Sequence, residues 1–253
     1  MTRTLSLIIP VYNEVRHLEQ LFPLIDRLEL PVAKELVIVD DHSTDGSAEF
    51  IRKFSFRSPT VLITQPRNQG KGAAVRAGIE QATGDFIGIQ DADLETNVDD
   101  IPGLLAPLLD DKADVVYGSR FKKSSNQVHR TFHYLVNRIL TTCSNIVSGL
   151  YLTDMETCYK FFRADVLKNI ELQSNRFGFE PEVTAKIARL RLRVMELPVS
   201  YFPRKYLEGK KMSWKDGFAA MTHIFYFNLW KRKADCFKAT LPERYRPDKG
   251  QWL

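Results

Sequence analysis

The chain predicts an α/β fold: a mostly parallel, twisted sheet with helices on both faces and a helical elaboration at its C-terminal end. Three observations carry this. Short β-rich runs alternate with segments of helical period through the first half, the pattern of strands joined by crossover helices. The runs are nearly continuous in apolar residues, as strands covered on both faces are. Polar clusters follow them directly, where open parallel sheets bind ligands.

LSLIIPV at 5–11 reads as the first strand, and VRHLEQLFPLIDRL at 15–28 as a helix with Asn13 as its N-cap. ELVIVDD at 35–41 is the second strand, followed by a helix in STDGSAEFIRKF, with Ser43 or Thr44 as the expected cap. TVLIT at 60–64 is the third strand and GKGAAVRAGIEQA at 70–82 the helix after it. FIGIQ at 86–90 and DVVYGS at 114–119 are the fourth and fifth strands. Beyond them lie a long helix over about 129–150, a helix in FGFEPEVTAKIARL, a strand in RVMELPVSY and an aromatic-rich helix over 216–233. With no internal repeat and no linker, the chain reads as one domain over 1–212, elaborated over 213–253 by an amphipathic helix and a basic tail.

Composition narrows the class. Hydrophobic residues are 44% and charged residues 26% of the 253, which excludes disordered and collagen-like chains. Three dispersed cysteines, Cys143, Cys158 and Cys236, form neither a zinc pattern nor a disulfide framework, so a reducing, cytoplasmic setting is expected. No leader-type apolar core opens the sequence, and no apolar run approaches the roughly 18 residues that cross a bilayer. Of the net charge of +5, residues 204–253 supply a surplus of seven, 12 Lys/Arg against 5 Asp/Glu, and the rest carries −2. A basic tail suits nucleic acid, anionic lipid or a phosphorylated substrate, or is simply solvated. No nucleic-acid motif accompanies it.

Chemistry concentrates at the predicted strand ends. In QDADLE at 90–95, Asp91 and Asp93 stand two residues apart just past a strand. Mg²⁺ commonly takes one or two carboxylates plus substrate phosphates, although Asp-x-Asp is also ordinary turn chemistry. Asp40 and Asp41 end another strand, with Ser43 and Asp45 following; such carboxylates can hold a base or ribose, or cap a turn. Gly70 and Gly72 flank Lys71 at a helix start, where free N–H groups and a cation favour anions.

The series IIPVYNE, IVDDHSTDG, RNQGKGAAVRAG, QDADLE and YGSR, in this order and spacing, resembles family 2 glycosyltransferases, inverting enzymes of the GT-A fold. Within that family it is most similar to polyprenyl- and dolichyl-phosphate hexosyltransferases. The resemblance covers about 5–217. It implies that Pro10, Tyr12, Glu14 and Asp41 surround the nucleotide base and ribose, and that Lys71 lies near the nucleotide. It further implies that Asp91 contacts the donor, that Asp93 with Asp91 holds Mg²⁺ or Mn²⁺, and that Arg120 beside Ser119 lies near a phosphate. TDMETCYKFFR at 153–163 resembles the segment carrying a catalytic-site aspartate, here Asp154; FGFEPE offers Glu180 and Glu182; EGKKMSWKDG resembles a mobile basic loop, with Lys210 and Lys211 on the donor. Two departures stand out: the acidic motif continues ETNVDDIP where many relatives carry an aspartate or histidine and paired prolines, and the C-terminal membrane helices common among relatives are not in this chain.

The expected activity is metal-dependent, inverting transfer of a hexose from a UDP-glucose- or GDP-mannose-type donor to a polyprenyl-phosphate-type acceptor. A soluble glycan, lipopolysaccharide or protein acceptor, and a non-catalytic nucleotide-binding module, are the alternatives. A nucleotidyltransferase would begin with a Gly-rich basic loop where VYNEVRHLE stands. The helix over 216–233 sets Phe218, Met221, Ile224, Phe225, Leu229 and Trp230 along one broad side, followed by Lys231–Lys233. This suits peripheral contact with the inner face of the cytoplasmic membrane, or packing on the domain's own core.

Overall fold

The computed structural model describes residues 3–122, 131–203 and 214–247, without the side chains of 131–133 and 214–216. Among the described residues, seven strands form one sheet in the order β3-β2-β1-β4-β6-β5-β7. β1 (Thr4–Val11), β2 (Ala33–Asp40), β3 (Thr60–Thr64) and β4 (Phe86–Ile89) run parallel, as do β5 (Val115–Ser119) and β7 (Val194–Pro198). β6 (Lys160–Arg163) lies antiparallel between β4 and β5.

Alternation along each strand divides two cores. Ile8, Val37, Val39 and Ile87 face one layer; Leu7, Ile9, Leu36 and Ile38 face the other. The first layer contains α3 (Lys71–Gln81), α5 (Thr131–Ser148), α7 (Phe179–Ile187) and α8 (Trp214–Phe225), through Val75, Leu140, Val183 and Ile224. The second contains α1 (Val15–Arg27), α2 (Ser47–Lys53) and α4 (Ile101–Leu109), through Phe22, Ile51 and Leu105. Burial on both faces explains the unbroken apolar runs of β1 and β2. β3, at the edge, alternates exposed and half-buried residues instead. The short helix α6 (Ala164–Leu167) directly follows β6.

Four expectations change. KFFR is a strand, where the sequence reading took it only as part of a motif. Its order is entirely non-local: Phe162 faces Ile87 and Val115, and Phe161 faces Gly88 and Val116. A side chain at Gly88 would overlap the Phe161 ring, so the glycine within FIGI admits β6. Asn13 does not cap α1. It takes a positive φ of 54°, and its Oδ1 accepts from the Thr44 amide at 2.7 Å while Glu14 holds the N-cap position. Neither Ser43 nor Thr44 caps α2; Asp45 Oδ1 accepts from the Ser47 amide at 3.0 Å. Finally, the C-terminal helix ends early. α8 passes into a π-turn over Tyr226–Trp230 and a 3₁₀ turn over Lys233–Asp235. Arg189 donates to the carbonyls of Phe227, Asn228 and Lys231 at 2.5, 3.0 and 3.1 Å, satisfying groups that a changed pitch leaves open. Ile224 and Ala220 turn into the core, joined by Leu241 and Tyr245, while Phe218, Leu229 and Trp230 remain exposed at 75%, 58% and 69%.

Candidate functional site

The ends of β1, β2, β4 and β5 bring the sequence-predicted residues to one edge of the sheet. Near the end of β1, Pro10 is half-buried; just past it, Tyr12 is exposed and Glu14 buried with its Oε2 2.6 Å from His17 Nδ1. After β2, Asp41 is buried and already engaged: its Oδ1 accepts from the Gln69 amide at 2.8 Å, and its Oδ2 from the Gly70 amide at 2.7 Å and Asn68 Nδ2 at 3.0 Å. Asp41 thereby shapes the loop that enters α3.

The start of α3 differs from the open anion cradle expected of it. The amides of Gly72 and Ala73 donate to the carbonyls of Arg176 and Asn175 at 3.1 and 3.0 Å. The glycines are there for close approach: Gly70 has φ of 94°, and a Cβ on Gly72 would overlap the Ser174 carbonyl oxygen. What α3 presents to the site is the Lys71 ammonium. It lies 2.8 Å from both Asp91 Oδ2 and Glu180 Oε1. Burial opposes its charge, but the two carboxylates outweigh this and hold its pKa well above the ordinary value. For Glu180 burial acts upward, and Lys71 and Lys160 reverse it, so its pKa is lowered.

Asp91 is pushed upward by burial despite Lys71, with Asp93 adding to the effect. Its second oxygen, Oδ1, is buried and has no hydrogen-bond partner within the protein. Asp93 accepts from the Glu95 amide at 3.1 Å across Leu94, whose φ is 58°. Glu95 in turn accepts from Tyr201 Oη at 2.9 Å, tying this loop to the segment after β7. Among the described residues no three His, Cys, Asp or Glu side chains gather to hold a metal. A cation between Asp91 and Asp93 would need ligand oxygens to complete its shell, and the orphaned Asp91 Oδ1 fits such a partner.

After β5, Arg120 forms a two-pronged pair with Asp154: Nε to Oδ2 and Nη2 to Oδ1, both at 2.7 Å, with the Arg120 amide also on Oδ2 at 3.0 Å. Asp154 is fully buried, and the Glu196 carboxylate accepts from the amides of Thr153 and Asp154 at 2.8 and 3.0 Å. Both oxygens of Asp154 therefore hold the guanidinium, which lies 5.1 Å from the Tyr201 ring.

The structure removes Glu182 from the site. It is fully buried, accepts from the amides of Gln173 and Ser174 and pairs with Lys186 at 2.5 Å. Two residues of α7, about 200° around the helix, separate it from Glu180 and turn it toward the 173–176 loop that packs on α3. Lys210 and Lys211 lie outside the described residues.

Three members of this cluster escaped the sequence reading although two lie in the quoted run TDMETCYKFFR. Lys160 is fully buried, donates to the carbonyls of Met155 (3.0 Å) and Thr157, and sits 4.9 Å from the centre of the Tyr117 ring. Burial lowers its pKa to about 8. Glu156, on the loop Lys160 grips, is raised to about 8 by burial and by Glu180. The third is Glu196 on β7. A carboxylate two residues after Asp154 and a lysine four further on were the available signal.

A mixed sheet with an antiparallel β6 amid parallel strands, acidic pairs at its strand ends and helices on both faces is the GT-A architecture of nucleotide-sugar transferases. The chain belongs to glycosyltransferase family 2, whose family model matches residues 6–171. It is 32% identical over 227 residues to a dolichyl-phosphate β-glucosyltransferase of Trichomonas vaginalis, covering 82% of this chain and 67% of that one. It is 28% identical to a dolichol-phosphate mannosyltransferase of Pyrococcus furiosus, covering 91% and 65%, and 31% identical to an undecaprenyl-phosphate mannosyltransferase of Micrococcus luteus, covering 80% and 85%. The chain thus spans about two thirds of the length of the first two. Among solved structures, glucosyl-3-phosphoglycerate synthase of Mycobacterium tuberculosis with Mn²⁺, UDP-glucose and glycerol 3-phosphate superposes with a TM-score of 0.67, at 18% identity over 89% of this chain and 80% of that one. At that identity the likeness concerns the fold.

Proposed function

We propose that the protein transfers a hexose, with inversion, from a nucleotide-diphospho-sugar of the UDP-glucose or GDP-mannose class to a polyprenyl-phosphate acceptor. The observation that carries this is the orphaned Asp91 Oδ1 beside Asp93 at the end of β4, in a chain whose family relatives act on dolichyl and undecaprenyl phosphates. Asp93 and Asp91 would hold Mg²⁺ or Mn²⁺. The ion supplies positive charge for the diphosphate leaving group.

The protein's own groups account for the rest. Asp41 and Glu14, with Tyr12 and Pro10 nearby, would border the nucleoside, and Lys71 would fix Asp91 against the donor. Arg120, aimed by Asp154, would orient the acceptor phosphate. A phosphate monoester has its second pKa near ~6 and attacks without giving up a proton at neutral pH. The three acids that the sequence singled out as candidate bases agree with such an acceptor: Asp154 is bound at both oxygens by Arg120, Glu180 is paired with Lys71, and Glu182 is buried elsewhere. None is placed as a waiting base for a sugar hydroxyl.

Thermal shift with UDP, GDP and their hexose conjugates, with and without Mn²⁺, tests the reading. One nucleotide-sugar should raise the melting temperature in a metal-dependent way. No metal-dependent shift with any member of the panel would refute it.

A further inference from the structure

The site contains a carboxyl that the mechanism above does not use. Glu156 Oε1 is shut away from solvent and has no hydrogen-bond partner, while the residue as a whole is half-buried. A buried carboxyl oxygen left unsatisfied is costly unless something arrives to meet it. Its neighbours come from four parts of the fold. The charges acting on it are Glu180 on α7, Lys160 on β6, Arg120 after β5 and Asp154 before β6.

These groups form a chain of alternating charge. Asp91 pairs with Lys71, Lys71 with Glu180, and Arg120 with Asp154; Lys160 acts on Glu180 and Glu156. Three cations thus meet three carboxylates, and Glu156 is the fourth carboxyl. Burial beside Glu180 and Asp154 keeps it protonated at neutral pH. Lys160 also grips the backbone on both sides of it, through the carbonyls of Met155 and Thr157, so the side chain is presented from a fixed loop.

The chemistry of the missing partner follows by exclusion. A metal ion would be repelled by Lys160 and Arg120, both of which act on Glu156. A phosphate dianion would meet Glu180 and Asp154 there, and of the two cations acting on Glu156, Lys160 is turned to the Met155 and Thr157 carbonyls and Arg120 is left to the acceptor phosphate. A hydroxyl meets neither objection, because a protonated carboxyl both donates to and accepts from it. If the acceptor is a polyprenyl phosphate, as proposed above and on which this inference rests, its reacting end carries no hydroxyl. The donor does, and Glu156 joins the donor side through Glu180, Lys71 and Asp91. We infer that Glu156 hydrogen-bonds a hydroxyl of the hexose carried by the donor and helps select which sugar is transferred.

Calorimetric titration of wild type, E156A and E156Q with the nucleoside diphosphate and with its hexose conjugate, both with Mn²⁺, tests this. E156A should leave the nucleoside diphosphate affinity within about twofold and weaken the nucleotide-sugar by about tenfold, the effect of one lost hydrogen bond. E156Q, whose carboxamide also donates and accepts, should retain the sugar to within about threefold. If E156A does not fold, E156D, which withdraws the carboxyl by one methylene, is read by the same ratio. Equal weakening of both ligands would assign Glu156 to the ribose or to site architecture and overturn the inference. So would an unchanged ratio, or a loss confined to the KM of the acceptor. A wild-type protein that binds the nucleoside diphosphate and its sugar normally while the variants do likewise refutes this inference alone; one that binds neither refutes the functional reading beneath it.

Discussion

Arg120 and Asp154 show how a buried pair can serve as a positioning device. The carboxylate is fully enclosed and meets the guanidinium in a planar, two-pronged fit, a geometry a lysine cannot reproduce. R120K should therefore lower kcat/KM for transfer by about ten- to a hundredfold with circular dichroism unchanged; near-wild-type turnover would show that the fork does not matter. Glu156 makes a prediction about pH. Its carboxyl rises from the ordinary 4.5 to about 8, first through burial and then through Glu180. Between those values the folded chain holds a proton that the unfolded chain has released, so the contribution of Glu156 to stability is complete below about 4.5 and is lost as pH rises through about 8. E156Q has no such proton. The melting temperature of E156Q relative to wild type should climb steadily from pH 5 to pH 8, and a constant difference would contradict the assignment.

At the scale of elements, the entry to α3 connects packing to the site. Asp41 fixes the 68–70 loop, the 175–176 carbonyls cap the helix, and Glu182 with Lys186 anchors the loop that supplies those carbonyls. Lys71 is the first residue of that helix, so its placement between Asp91 and Glu180 depends on all three. G72A would push a methyl into the Ser174 carbonyl oxygen, a backbone atom that cannot rotate away. It should cost about 1–3 kcal/mol, read from the urea midpoint. It should also weaken metal-dependent nucleotide binding, because the cap and Lys71 move together. An unchanged midpoint would mean that the 174–176 loop yields freely. Glu182, read in the sequence as a candidate acid, belongs to this scale.

For the whole molecule, the proposed polyprenyl-phosphate acceptor raises the question of contact with a lipid surface. No helix among the described residues is long and apolar enough to cross a membrane. α5 and α8 pack together and expose Leu135, Ile146 and Phe218; the π-turn after α8 exposes Leu229 and Trp230, with Lys231, Arg232 and Lys233 next in the chain. Exposed aromatic and aliphatic residues beside a basic run suit the headgroup layer of an anionic membrane. Wild type should float with vesicles containing anionic lipid, and a variant with L229E and W230E should remain behind. Equal recovery of the two proteins, or no flotation of either, would end the proposal of peripheral contact.

The layered α/β fold was legible in the residues because its signals are local. Apolar runs of strand length, helical periodicity and carboxylates just past strand ends are each visible within about ten neighbouring residues. The same is true of Asp91, Asp93 and Arg120, which stand at ends of strands the sequence reveals. β6 was not legible, since four residues carry little pattern and Phe161 and Phe162 are ordered only by β4 and β5 on either side. Nor could FGFEPE alone show that Glu180 meets Lys71 while Glu182, two residues on, turns away to Lys186. Glu156 and Lys160 were in plain view, yet their ionisation arises from burial and from charges brought in from α7 and β5. Local chemistry wrote the strands, the helices and their acidic ends. Which carboxylates pair, which support a loop and which is left holding a proton depends on distances that exist only after the chain has folded.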